Sequence, residues 1–397
     1  MQLRPYQTHA VATMTAALAA DRAAGRRHRS VCGACVGAGK SLLIAEMARR
    51  EVEDHMGRVL VLTHAADLVE QDACKIAAFH QRPGVYCAGL GEKSCGDLVV
   101  VASVQSLARN PTACGMFSLI MSDESHRISP ENEGQYHTIL QAQPRADHIG
   151  FTGTPWRLNS GVIYGKGKPF DTIIVDVRIA QMQAEGFLVP IVGKAKDLMT
   201  ATSLRKTAGE FATGEQDASI VESQVVEALS KHAHDRKSIV IFTPGVRSGE
   251  ALTEALIRAG EQARWVDGTT PRIAREQATA DFKARRVRFL VNCECLTTGW
   301  DAPNTDAVVL LRRTASTALL IQMVGRGLRL ADGKRDCRVL DYAGNFELHG
   351  PIHEIEPPAP GKEARAAKKP RICKQCDEIV PTGPTCPACG WVFPVQV

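Results

Sequence analysis

Three groups of residues have types and spacings that could do chemistry. The first is Ala34-Cys35-Val36-Gly37-Ala38-Gly39-Lys40-Ser41. Gly37 and Gly39 would let backbone N–H groups close around phosphate oxygens, and a helix opening near Ser41 would direct its positive dipole end at the same anion. Lys40 would reach the β- and γ-phosphates of a nucleotide, and the Ser41 hydroxyl would ligate Mg²⁺. Ala34 stands where the strict phosphate-loop pattern has glycine, and the plain alternative is a glycine-rich turn before a core helix. The second group is Asp123 and Glu124. They follow the apolar run 119–121 without a break, which puts both carboxylates at the carboxyl end of a buried strand. Asp123 would hold Mg²⁺ through its water shell, and Glu124 would polarise an attacking water. The third group is Cys373-x-x-Cys376 and Cys386-x-x-Cys389, with nine residues between the pairs. That spacing fits a tetrahedral Cys₄ Zn²⁺ site. A segment of roughly 25 residues cannot bury a useful core, so metal binding would supply its folding energy.

Arg326 and Arg329 lie far along the chain and three residues apart. On a helix they would share one face. Phosphoryl transfer needs positive charge against the γ-phosphate beyond Mg²⁺ and Lys40, and these guanidiniums could supply it when a second domain closes on the first.

The elements that must position these groups alternate between short apolar runs and helical stretches. Strands are expected at 58–62, 98–102, 119–122 and 148–151, then at 238–242, 288–292, 307–311 and 339–341. Several are nearly continuous Val, Ile and Leu, as expected of parallel strands buried on both faces. Helices are expected at 41–54 and 249–259, and such alternation implies open parallel sheets with right-handed crossovers. The expected architecture is α/β, with two parallel-sheet domains in tandem at 1–170 and 171–350. A basic, proline-containing linker at 351–370 and a zinc-ribbon-like module at 371–397 would follow. The segment 194–218 has a weaker pattern and no assigned role.

Of 397 residues, 44% are hydrophobic and 23% charged, which excludes wholesale disorder and collagen-like repetition. The net charge is only +5, so contact with nucleic acid must come from local patches, such as the basic run at 362–371. Nine of the thirteen cysteines are scattered through the chain, which points to a reducing compartment rather than a disulfide framework. Cys32 and Cys35 mimic a redox pair but overlap the strand-to-loop turn and read as structural, as do Cys293 and Cys295. The run Arg26-Arg27-His28-Arg29 reads as an exposed loop. No spanning helix, signal peptide or other targeting segment is apparent, so no membrane association and a cytoplasmic location are expected.

Segments 34–41 and 123–126 resemble motifs I and II of superfamily 2 helicases, the DEAD/DEAH group. Further matches follow in order across almost the whole chain. Residues 3–7 look like the element whose glutamine reads adenine, here Gln7. Residues 61–64, continuing to Leu68 and Gln71, are similar to motif Ia, and 101–107 to the next nucleic-acid motif. Residues 151–155 resemble motif III, 239–244 motif IV, 297–303 motif V and 322–329 motif VI. The flavour is that of bacterial or bacteriophage helicases related to restriction-type helicase subunits. Ser125 replaces the usual Ala or Cys. The chain length is expected to leave no room for large accessory domains.

The resemblance implies two RecA-like domains using ATP and Mg²⁺. It places Gln322, Arg326 and Arg329 with Lys40, Asp123 and Glu124 in hydrolysis. Gln7, Gly37, Ala38, Gly39, Lys40, Ser41, Gly299 and Asp301 would bind the nucleotide. His126, Thr152 and Thr154 would couple hydrolysis to movement. Thr63, Ser103, Gln105 and Thr297 could hold the phosphates of a single strand, DNA favoured over RNA, although each also reads as a strand-end cap. Trp156, directly after the motif III segment, could equally stack on a base or pack in a core. The ribbon would grip nucleic acid or dock a protein partner. The leading expectation is an ATP-dependent helicase or translocase. The alternatives are an ATP-switched clamp or recruitment factor, and a small-molecule P-loop kinase. A kinase would not need the distant Gln-x-x-Gly-Arg-x-x-Arg segment.

Overall fold

Nearly unbroken runs of Val, Ile and Leu form the middle of two sheets, because strands covered by helices on both faces have no side that faces water. The structure is a computed structural model. It describes residues 3–79, 82–129, 133–157, 161–199, 204–207, 210–297, 300–352, 355, 371–380 and 384–394. The chain divides into two units, one running through Arg178 and the other starting at Ile179 and including the cysteine module.

In the first unit, α1 (Pro5–Ala23) leads into β1 (Arg29–Ala34), α2 (Lys40–His55), β2 (Val59–Thr63) and α3 (Ala66–Phe79). Strands β3 (Gly84–Cys87), β4 (Glu92–Lys93), β5 (Val99–Ser103), β6 (Leu119–Ser122), β7 (Asp147–Thr152) and β8 (Thr172–Val177) follow. The short helix α4 (Val104–Leu107) follows β5, and α5 (Gln135–Gln141) lies between β6 and β7. The sheet order is β8-β1-β7-β6-β2-β5-β3-β4, parallel except for the final β3–β4 pair. Strand β8 pairs with β1, which is why this unit extends to Arg178. The carboxyl ends of β1, β2, β5, β6 and β7 therefore share one edge of the sheet.

The second unit has β9 (Ile191–Ala195), α6 (Glu222–His232), β10 (Ile239–Phe242), α7 (Val246–Arg258), β11 (Ala263–Val266), β12 (Phe289–Asn292), β13 (Ala307–Leu310), α8 (Thr317–Gly325) and β14 (Cys337–Asp341). Its sheet is parallel throughout, in the order β9-β14-β13-β10-β12-β11. The weakly patterned segment forms a small hairpin and a short helix. There Glu210 accepts from Thr314 and Ala315, and Gln216 accepts from the Arg313 N–H. The hairpin and helix thus hold the loop before α8. Trp156 is half-buried in a two-residue strand.

Two sequence expectations are corrected. The Arg26–Arg29 run is not a plain exposed loop. His28 is buried between Asp21 and Ser30, and Arg27 donates to the Ala146 carbonyl, so the run is stitched to the edge of the sheet. Cys95 and Cys114, expected as free thiols, form a disulfide, because the loops before and after β5 bring them together. The expected linker at 351–370 lies almost wholly outside the described residues, while the cysteine module at 371–397 pairs with the second unit's sheet. Its Asp377 carbonyl accepts from the Ala195 N–H, and Glu378 bridges Lys194 on edge strand β9. Of the basic run 362–371, only Arg371 falls within the described residues; it stacks on Phe393.

Candidate nucleotide and metal sites

The loop between β1 and α2 is shaped by two glycines in the left-handed region, Gly37 (φ 84°) and Gly39 (φ 79°). A Cβ at Gly39 would lie 2.5 Å from Gln7 Nε2, so conformation and space both demand glycine there. Tyr6 Oη and Gln7 Nε2 each donate to the Ala38 carbonyl at 3.0 Å. The other end of the Gln7 amide accepts from the Arg4 N–H at 2.9 Å. The first turn of α1 thus clamps the loop, a role for Tyr6 that sequence reasoning missed. No side chain caps α2, which leaves its first N–H groups directed into the loop. The Cys32 and Cys35 thiols are pushed up to about 12 by burial, as suits packing residues.

Asp123 continues the β6 ladder through its N–H to the Leu62 carbonyl, and its carboxylate accepts from the Glu124 N–H at 2.9 Å. Glu124 has φ 49°, a left-handed conformation that costs about 1–3 kcal/mol and turns its side chain towards the loop. Its Oε1 lies 3.9 Å from Lys40 Nζ. Its Oε2 lies 3.4 Å from His126 Nδ1. The same ring nitrogen meets Thr152 Oγ1 at 2.9 Å and Thr154 Oγ1 at 3.4 Å. Burial holds the His126 pKa below its ordinary value, so this contact is a hydrogen-bonding relay rather than an ion pair at neutral pH. Ser125 is fully buried and donates to the Ser122 carbonyl at 2.6 Å, so its hydroxyl is satisfied where an alanine would have none.

Sequence reasoning also missed Asp72. It lies on the buried face of α3 with Leu68, Val69, Ala73 and Ile76, and has no exposed surface. Neither carboxylate oxygen has a hydrogen-bond partner. Burial pushes its carboxyl up to about 6, an effect opposed by the Ser41 hydroxyl and Lys40 close by. Asp123 is raised more strongly, by burial and by the charges of Glu124 and Asp72. The signal was a lone acid in an apolar helical stripe. Ser41 and Asp123 are oxygen donors of the kind that fit a hard divalent cation, and the buried Asp72 carboxylate lies beside them.

Thr63 and Ser103 are register partners at the ends of β2 and β5. Ser103 caps α4, and Gln105 Nε2 donates to the His64 carbonyl at 2.8 Å, so the first unit gathers three of the four proposed strand contacts at neighbouring strand ends. Thr297 belongs to the second unit, where its hydroxyl donates to the Glu294 carbonyl at 2.7 Å.

In the second unit, Gln322 lies on α8. Arg326 and Arg329 do not share a helical face as expected, because α8 ends at Gly325. Arg326 caps the helix and donates to the carbonyls of Trp300 and Thr297. Arg329 pairs with Asp301. The two arginines thus hold Thr297, Trp300 and Asp301; Gly299 lies outside the described residues. Gly327 permits close packing, since a Cβ there would lie 2.2 Å from Cys337 Sγ.

In the cysteine module, β15 (Arg371–Ile372) and β16 (Ile379–Val380) form a hairpin around the first turn, which carries Cys373 and Cys376, and the second turn carries Cys386 and Cys389. The sulfurs of Cys373, Cys376, Cys386 and Cys389 lie within 4.8 Å of one another. Cys373 and Cys389 stand 3.6 Å apart and Cys376 and Cys386 3.8 Å apart. Four thiolates at a Zn–S distance of about 2.3 Å on a tetrahedron would be roughly 3.8 Å apart, so the donor set fits Zn²⁺. Among the described residues, no helix is long and apolar enough to cross a membrane.

Known proteins resemble this chain in sequence and fold. A family model for the type III restriction enzyme res subunit matches residues 1–157, and one for the helicase conserved C-terminal domain matches 221–331. A 51.5 kDa protein of a Lactococcus phage is 25% identical over 377 residues, covering 91% of this chain and 77% of its own length. A Schizosaccharomyces pombe protein provisionally described as the mitochondrial ATP-dependent helicase irc3 is 29% identical, covering 87% of this chain. The chain spans only 58% of that relative. Among solved structures, the ATP-dependent type ISP restriction-modification enzyme LlaBIII bound to DNA shares the fold with a TM-score of 0.63 at 16% identity, covering 85% of this chain and 27% of its own. The two models fall on one chain in the order of the two sheets, so this chain carries a type III restriction enzyme res-subunit domain followed by a helicase conserved C-terminal domain.

Proposed function

We propose that this chain is an ATP-driven helicase or translocase that moves on nucleic acid, DNA favoured over RNA. The observation that carries the reading is Lys40 Nζ, 3.9 Å from Glu124 Oε1 at the carboxyl edge of a parallel sheet, with Asp123 next in sequence. Lys40 binds the β- and γ-phosphates with the amides of Gly37, Ala38 and Gly39, and Gln7 meets the adenine. Ser41 and Asp123 hold Mg²⁺, which neutralises phosphate charge. Glu124 orients the attacking water and takes its proton. Arg326 and Arg329 bring further positive charge to the nucleotide during hydrolysis, Gln322 acts with them through its neutral amide, and Gly299 and Asp301 bind its sugar side.

His126, Thr152 and Thr154 link Glu124 to the end of β7, a route by which hydrolysis reaches the protein. Thr63, Ser103, Gln105 and Thr297 hold backbone phosphates, which lets the chain step along any sequence. The two sheet units, which divide between Arg178 and Ile179 rather than between 170 and 171, act as the ATP-binding and C-terminal motor domains. Cys373, Cys376, Cys386 and Cys389 hold one Zn²⁺, which folds the ribbon as a nucleic-acid grip or a protein dock. The test is ATP turnover measured in parallel with single-stranded DNA, duplex DNA, forked DNA and RNA, with strand separation read on the fork. Stimulation by at least one nucleic acid supports the reading, and equal turnover with none overturns it.

A further inference from the structure

Asp72 has a charge problem that the proposed roles of its neighbours do not solve. Its carboxylate is fully buried, both oxygens lack a hydrogen-bond partner, and it sits on a helix face otherwise made of Leu68, Val69, Ala73 and Ile76. An unpartnered carboxylate in such a place is costly unless a ligand compensates it. Its polar and charged neighbours are Ser41, Lys40, Asp123 and Glu124. Three carboxylates thus face one ammonium. A metal-free triphosphate, itself strongly anionic, meets repulsion there, and a divalent cation removes it.

We propose that Asp72 is a positioning residue that makes nucleotide binding conditional on the divalent cation. When the cation is bound, its carboxylate accepts the Ser41 hydroxyl hydrogen, which leaves the hydroxyl lone pairs for the cation, and its negative charge penalises nucleotide that arrives without metal. Asp72 touches neither phosphate nor water in this scheme. It acts through Ser41 and through its charge. The inference rests on the phosphate-site reading given above.

The test uses the full chain and a fluorescent ADP analogue, titrated with Mg²⁺ and with EDTA, and Mn²⁺ binding followed by electron paramagnetic resonance. For the wild type, affinity should fall sharply in EDTA. Asp72→Asn keeps the volume and removes the charge. It should bind nucleotide more tightly in EDTA than the wild type does, and its Mn²⁺ affinity in the nucleotide complex should fall about tenfold. Asp72→Ser provides a second folded variant with the same expected pattern, and thermal unfolding identifies which variants are folded. If a folded variant shows the same Mg²⁺ dependence and Mn²⁺ affinity as the wild type, the inference is overturned. If the wild type itself binds no nucleotide with Mg²⁺, the phosphate-site reading fails instead, and this inference with it.

Discussion

Lys40 Nζ lies 3.9 Å from Glu124 Oε1, which ties the loop after β1 to the turn after β6 inside a single unit. The two side chains are 14% and 11% exposed, so little water screens them from each other. One small space therefore holds an ammonium and a carboxylate side by side.

Lys40→Ala should abolish ATP turnover, with a loss on the order of 10²-fold or more. A steady-state phosphate-release assay on folded protein checks it. Undiminished release would remove Lys40 from the phosphate site.

Arg329→Ala should lower turnover on the order of 10³-fold while nucleotide binding stays largely intact, because a charge that acts on the γ-phosphate contributes mainly during transfer. Fluorescent-nucleotide binding and turnover are measured on the same preparation. Equal losses in both would show that the Arg329–Asp301 pair is structural instead.

His148 sets a pH dependence. Burial drives its pKa down to about 3, and its Nε2 bonds the Ser122 hydroxyl at 2.8 Å. The unfolded chain takes up this proton near pH 6.5 and the folded chain near 3, so the contribution is complete above 6.5 and is lost as pH falls through that window. The slope is at most about 1.4 kcal/mol per pH unit. Urea denaturation of His148→Gln from pH 4 to 6 should show a shallower pH slope than the wild type; identical slopes would sink the assignment.

Purified protein should carry about one Zn²⁺ per chain, and Cys386→Ser should lose it. Lys194→Ala should keep the metal, because Lys194 reaches only the Cys376 carbonyl and Glu378. Elemental analysis of the three proteins checks all of this. A wild type without zinc would remove the ribbon site.

The strands legible in sequence were the apolar ones. Residues 119–122 form β6 as read, and the run at 58–62 forms Val59–Thr63. Strand β1 gave no such signal, because Arg29–Ala34 includes Cys, Gly and Ala, and its burial comes from its place inside the sheet. The phosphate loop and the acidic pair were visible because their chemistry is local in sequence. Asp72 was not, because its meaning depends on α3 packing beside Ser41. The shared helical face for Arg326 and Arg329 failed for a local reason, the glycines at 325 and 327 that end α8.

Strand β9 is the outermost strand of its sheet on one side, and the cysteine turn carrying Asp377 and Glu378 lies along it. A bare strand margin invites other chains to add their own strands. With Zn²⁺ held by the four thiols as proposed, its removal should free the Ala195 N–H on that margin from the Asp377 carbonyl, and the first symptom should be clumping of intact chains.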